Sequence, residues 1–182
     1  MIAGMRLVRA VQRGAIAGAI GTLAMDLLWY RRYRRGGGEE PFRDWELTRE
    51  LQSWDDAPAP GQAGRKLVQA VTGRDVAVEH AAALSNVMHW AYGLSWTAAY
   101  GVLVAARDRR RRLWHGPAFG AAVWCSDYVT LPLAGVYEPI WEYDGATLYE
   151  DLSAHLVFGT AADAALRLLA CPVACPRWRL PT

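Results

Sequence analysis

The chain has 182 residues, enough for one domain with one core, and is 53% hydrophobic and 21% charged with a net charge of +2. So small a net charge argues against nucleic-acid binding, and an odd count of three cysteines argues against a disulfide framework. Nine Trp, eight Tyr and 17 Gly lean instead towards a membrane, where aromatic belts and packing glycines are common.

Residues 1–13 carry Arg6, Arg9 and Arg13 ahead of the first apolar run, QRGAIAGAIGTLAMDLLWY over 12–30. A secretory leader begins the same way, but this run continues through Leu27, Leu28, Trp29 and Tyr30 and no small-x-small cleavage site follows. It is expected to be a membrane helix: about 19 residues at ~1.5 Å each span about 28 Å, close to a bilayer core. Gly14, Gly18, Thr22, Asp26 and Tyr30 recur every fourth residue and share one stripe. The first three are small, so another helix, of this chain or of a second copy in a homodimer, is expected to approach there closely.

Residues 31–80 read as a polar, partly helical loop. RRYRRGGGEE is a charged stop with a glycine patch, and APAPG at 57–61 separates two short helical stretches. The first, over 41–54, places Leu47, Leu51 and Trp54 on one face. The second, over 61–72, has Ala63, Leu67, Ala70 and Val71 at helical spacing. Either suits the membrane surface, the mouth of a bundle or a solvated hairpin.

Three further apolar helices follow, over 81–106, 113–133 and 146–170. The first carries Ser85, Asn86, His89, Tyr92 and Trp96 and ends at RDRRRR. The second carries Gly116, Gly120, Trp124 and Asp127, and the third Glu150, Asp151, His155 and Gly159. Between them, 134–145 has no basic residue and offers Tyr137, Trp141 and Tyr143 as interface anchors. His80 and His115 sit at helix ends and read as surface residues. Asp163 and Arg167 are spaced for a local ion pair. In the proline-rich tail, Cys171 and Cys175 could ligate a metal or carry a palmitoyl chain.

These segments predict an all-α fold: a polytopic membrane protein whose single domain, 1–182, is a four-transmembrane-helix bundle in the lipid bilayer. Four crossings place both termini on one side. Eleven of the 20 basic residues collect there, nine fall in the first long loop and none in the second. The positive-inside rule then favours cytoplasmic termini.

One constellation bears on function. Measured from the loop-facing helix ends, Asp26, His89, Asp127 and His155 lie at depths of roughly 6 to 14 Å, all in the same half of the membrane. Ionisable groups at such depth are costly and face a bundle interior or a watery cavity. The four are expected to converge in one polar pocket, with Glu150 joining from its rim. On helix two Ser85, His89, Tyr92 and Trp96 share a face; on helix four Asp151, His155 and Gly159 do. Gly14, Gly18, Thr22, Gly120 and Gly159 are the expected packing positions. Three readings stay open: interhelical glue, a proton- or ion-responsive site, or a metal site on the two His and two Asp or a haem between His89 and His155. No HExxH, phosphate loop or nucleophile with a paired base appears, so an enzyme is not the expected class and no cofactor is assigned. GAIAGAIG has the wrong spacing for a dinucleotide fingerprint.

Four stretches, GAIAGAIGTLAM, NVMHWAYGLSWTAAYG, WHGPAFGAAVWCSDYVTLPLAG and EDLSAHLVFG, resemble, in order, the YagU-like family of bacterial inner-membrane proteins. The resemblance implies an integral inner-membrane protein associated with acid tolerance. It carries over no catalytic residue, although His89, Asp127 and His155 fall within the matching stretches. The loop over 31–77 fits the family pattern least.

Overall fold

A computed structural model describes residues 2–47, 51–107 and 113–170. Six α-helices make up the fold: α1 (Ile2–Arg35), α2 (Phe42–Leu47), α3 (Ala59–Thr72), α4 (Ala81–Arg107), α5 (His115–Leu133) and α6 (Gly145–Ala170). Single 3₁₀ turns at Val78–His80 and Ile140–Glu142 lead into α4 and towards α6. The fold is an all-α helical bundle. Cys171, Cys175 and most of the RDRRRR stop fall outside the described residues.

Each long helix is close to its expected extent except α1, which is longer at both ends. Apolarity alone marked 12–30. Arginine is a good helix former, so the flanking basic residues continue the helix to Arg35. Glycines then end it, with Gly37 at φ 93°. α2 stops at Leu47, so Leu51 and Trp54 do not extend its face. α3 begins on Pro58 and Pro60 and closes on Gly73, whose left-handed backbone (φ 68°) lets its N–H reach the Gln69 carbonyl. Asp144 caps α6: its Oδ1 accepts from the N–H groups of Ala146 and Thr147 at 2.8 and 2.9 Å.

α1 is the centre. It packs along α4 on one side and α6 on the other, and α5 packs on the far side of α6. Gly14 faces Thr97 and Ala98, Gly18 faces Gly93 and Leu94, and Gly101 faces Ala10 and Gly14. Rising numbers on α1 meet falling numbers on α4, so the two are antiparallel. A Cβ on Gly14 would lie 2.6 Å from the Thr97 carbonyl oxygen and the Ala98 Cα. Only the absence of side chains permits this approach. The α5–α6 seam repeats the device, with Gly159 set between Gly116 and Gly120. α4 and α5 have no such seam. Long side chains bridge them instead: Tyr100 stacks on Phe119 at 4.2 Å between ring centroids. α3 lies against α4, where Gly61 faces Ser85 and Gly64 faces Met88 and Leu84.

The bundle interior is mixed: Met25, Phe119, Val123, Phe158 and Leu166 form apolar clusters beside buried polar groups. Its largest fully buried side chains are Thr22 and Thr97, and Asp26, Asp127 and Asp163 are buried with them. Large apolar side chains point outward on every long helix: Ile16 (51% exposed) and Leu27 on α1, Val87 and Leu103 on α4, Val129 on α5, Leu168 on α6. By length and composition, α6 is the one helix among the described residues long and apolar enough to cross a membrane. The four-span expectation is not matched on that measure. The Arg, Trp, Tyr, Gly, Ser and His residues of α1, α4 and α5 dilute their hydropathy, although their outer faces are apolar.

Gly159→Val should force α5 and α6 apart. Overpacking of this kind costs about 1–3 kcal/mol or more, read as a lower thermal midpoint of the purified protein. Gly145→Ala, where an added Cβ meets nothing within 4 Å, should leave the midpoint unchanged.

Candidate functional site

The gap left between α4 and α5, bounded by α1 and α6, is a cavity of about 570 Å³ roofed by α2 and α3. Asp26, His89, Asp127 and His155 all line it. They form two His–Asp pairs of different construction.

The first pair joins α1 to α4. His89 Nε2 lies 2.8 Å from Asp26 Oδ1. Asp26 is 4% exposed, and its Oδ2 is buried without a hydrogen-bond partner. Thr22, one turn earlier on the same stripe, is 1% exposed, and its hydroxyl oxygen also lacks a partner. Sequence spacing put both residues on this face.

The second pair joins α5 to α6. His155 Nε2 lies 3.0 Å from Asp127 Oδ2, and Tyr92 on α4 donates its hydroxyl to Asp127 Oδ1 at 2.5 Å. His155 Nδ1 faces the backbone carbonyl of Asp151 at 2.9 Å and Asp151 Oδ1 at 3.4 Å. Both ring nitrogens therefore face acceptors, an arrangement that only the doubly protonated imidazolium satisfies in full. Both Asp127 oxygens are occupied. α4 contributes His89 to one pair and Tyr92, one turn on, to the other, so a polar belt runs through all four long helices.

Glu150 does not join the cavity. Its side chain is exposed, and its carbonyl accepts a bond from Arg32 at 2.8 Å. The acid that lines the cavity is Asp151, whose Oδ2 is buried and unpartnered. Helix geometry accounts for the correction: Asp151 precedes His155 by four residues and shares its face, whereas Glu150 is rotated about 100° away. Gly14, Gly18, Gly120 and Gly159 are placed in the helix seams, and Thr22 at the junction of seam and cavity. His80 is exposed at the start of α4. Asp163 pairs with Arg167 through 2.7–2.8 Å contacts, as its spacing implies, and also accepts from Tyr100 at 2.9 Å across to α4.

Sequence reasoning missed Glu46. It lies on α2, in the polar loop, and no periodicity ties it to the bundle. Asn86 Nδ2 donates to Glu46 Oε1 at 2.6 Å, docking α2 on α4. Burial, and then the charge of Asp26, push the Glu46 carboxyl above its ordinary range, against the opposing hydrogen bonds from Trp90 and Asn86. Tyr137, in the loop between α5 and α6, also lines the cavity. Burial and the nearby Asp151 charge push its phenol up, which keeps it a proton donor.

Counting Glu46 and Asp151, four carboxylates line the cavity, and no lysine or arginine is among the described residues that do so. Arg32 bonds to Ser153 and the Glu150 carbonyl and lies over the Trp29 ring. Among the described residues, no group of three or more His, Cys, Asp or Glu is placed to hold a metal ion, so the geometry gives the metal alternative no support. No family model matches the chain, and neither a curated protein nor a solved structure matches it.

The two partners around Asp127 should respond differently to substitution. Tyr92→Phe should cost about 0.5–1.5 kcal/mol, one hydrogen bond. Asp127→Ala leaves His155 buried without its acceptor and should cost about 3–5 kcal/mol. Chemical unfolding of both variants in the same detergent measures the difference.

Glu46 fixes a sign for pH dependence. A carboxyl raised in the folded state binds its proton there before it does in the unfolded chain, so acidification through that window favours folding. The gain grows as pH falls through the raised value and is complete below the ordinary value of 4.5. Glu46→Gln should remove this component from a plot of unfolding free energy against pH. A wild-type-minus-variant difference that is flat or of opposite slope would refute it.

Proposed function

We propose that this chain is a multi-pass protein of a bacterial inner membrane whose four long helices surround a proton-responsive cavity. The observation that carries the functional part is the asymmetry of the two His–Asp pairs. Asp127 and His155 have their hydrogen-bonding capacity used up by Tyr92 and Asp151. That pair is interhelical glue. Asp26 and His89 are held by one bond, with one carboxylate oxygen buried and unsatisfied and the His89 side chain 28% exposed. Proton gain or loss at this open pair changes the charge of a cavity wall. Histidine is the side chain whose charge changes most readily between about pH 5 and 8.

Three observations support the membrane part: the apolar outer faces of α1, α4, α5 and α6, the buried polar belt, and the span-length apolar α6. The antiparallel order brings Arg6, Arg9 and Arg13 to the same end as the C-termini of α4 and α6, opposite the roofed cavity. The positive-inside rule makes that end, with both termini, the cytoplasmic one. The four motifs shared with the YagU-like family, and the acid tolerance associated with it, agree with this reading, and we propose membership on those motifs alone. An Arg-rich segment (Arg31, Arg32, Arg34, Arg35) lies at the cavity end, against that charge bias.

Two measurements test the proposal. After a carbonate wash the protein should stay in the membrane pellet; release into the supernatant would overturn the membrane reading. Trp29 and Trp45 line the cavity, so tryptophan emission of the purified protein should change between about pH 8 and 5. His89→Gln should abolish the change, whereas His155→Gln should lower stability and leave it in place. An unchanged response in His89→Gln would remove the open pair from the mechanism.

A further inference from the structure

The cavity is built to accept hydrogen-bond donors. Three oxygens on its lining residues, Thr22 Oγ1, Asp26 Oδ2 and Asp151 Oδ2, are buried without a partner. A buried oxygen in that state carries a desolvation cost of about 1–3 kcal/mol, more when charged, and a donor placed against it recovers that cost. Asp26, with its side chain 5% exposed, is the most enclosed acid of the set. A ligand anion would meet carboxylates on α1, α2, α5 and α6 with no lysine or arginine among the described lining residues to offset them. A bare metal ion has no group of three donor side chains to hold it among the described residues. Apolar and aromatic side chains, Met25, Trp29, Trp45, Met88, Leu131 and Phe158, line much of the rest of the wall, with Ser85 and Asn86 among the polar ones. At about 570 Å³ the space is of the size that takes small organic molecules.

We infer that the cavity binds a small organic ammonium ion, an amine with an apolar or aromatic body, whose N–H groups occupy the free oxygen of Asp26 and whose body lies among Trp29, Trp45 and Met88. This rests on the proton-responsive cavity proposed above and adds a ligand class to it. A charged N–H to carboxylate bond is among the stronger hydrogen bonds. Glu46, on the α2 roof, is docked through Asn86 at 2.6 Å and stands within electrostatic reach of both Asp26 and His89.

The test compares three probes on the purified full-length protein in detergent, by calorimetry and thermal shift: 2-phenylethylamine, its neutral counterpart 2-phenylethanol, and potassium chloride at equal concentration. The amine should bind at least about tenfold more tightly than the alcohol, and the salt should not reproduce its stabilisation. Asp26→Asn should lose about tenfold or more in amine affinity while its alcohol affinity holds. Should Asp26→Asn fail to fold, Asp151→Asn serves as the second variant and should weaken the amine selectively. Equal affinity for amine and alcohol, an amine affinity untouched by these substitutions, or full reproduction by salt would overturn the inference. The pH response of tryptophan emission, recorded without any amine, separates the two proposals. If it persists while the amine fails, only the ligand class falls; if it is absent while the amine binds selectively, the proton reading falls and the binding site stands.

Discussion

Close backbone approach at two glycine seams sets the rest of this structure. α1 meets α4 through Gly14, Gly18, Gly93 and Gly101, and α5 meets α6 through Gly116, Gly120 and Gly159. A methyl group would collide with main chain, which cannot swing aside, at each of these positions except Gly93, where it would meet the Thr22 hydroxyl. Between α4 and α5 the residues are large, Tyr92 and Tyr100 against Asp127 and Phe119, and the helices stand apart. Tight seams at α1–α4, α1–α6 and α5–α6 with a wide one at α4–α5 cannot close a uniform bundle. The space that remains is the cavity, and the polar residues facing it are the ones that the wide seam fails to cover with apolar side chains.

A buried carboxylate needs compensation, and the bundle supplies it twice with different completeness. Around Asp127 the compensation is complete: a tyrosine, a histidine and, behind the histidine, Asp151 and its carbonyl. The α4, α5 and α6 helices are locked by that arrangement. Around Asp26 it is half complete. The contrast separates polar glue from a candidate site more sharply than the presence of Asp and His does. It also places the open pair beneath α2, the helix attached through Glu46.

The distribution of polarity belongs to the same physics. Thr22, Asp26, Thr97 and Asp163 are buried beside the apolar clusters of Met25, Phe119, Val123, Phe158 and Leu166, while isoleucine, leucine and valine side chains on the long helices face outward. Mean hydropathy understates the outer faces, because several of the polar residues that lower it, Ser85, Thr97, Asp127 and His155 among them, are buried. A helix with a polar inner stripe and an apolar outer one therefore scores as mediocre while presenting a continuous apolar face to its surroundings.

The sequence by itself determined what local periodicity can carry. The extents of α4, α5 and α6 follow from apolar runs. The stripe Gly14, Gly18, Thr22, Asp26 follows from fourfold spacing, as does the Asp163–Arg167 pair. That four ionisable residues lie at one level follows from counting helical rise from the loops. Tertiary structure decided everything that depends on rotation about a helix axis or on contacts between distant segments. Depth along an axis says nothing about which of two adjacent acids turns inward, so Glu150 was chosen where Asp151 lines the cavity. Which histidine meets which aspartate depends on which seams close, and that is set by glycine positions on both partners of each seam at once. Glu46 and Tyr137 come from the connecting segments, whose short helices and turns have no repeating pattern to aim a side chain. Only their packing against α4 and over the cavity mouth brings them to the site.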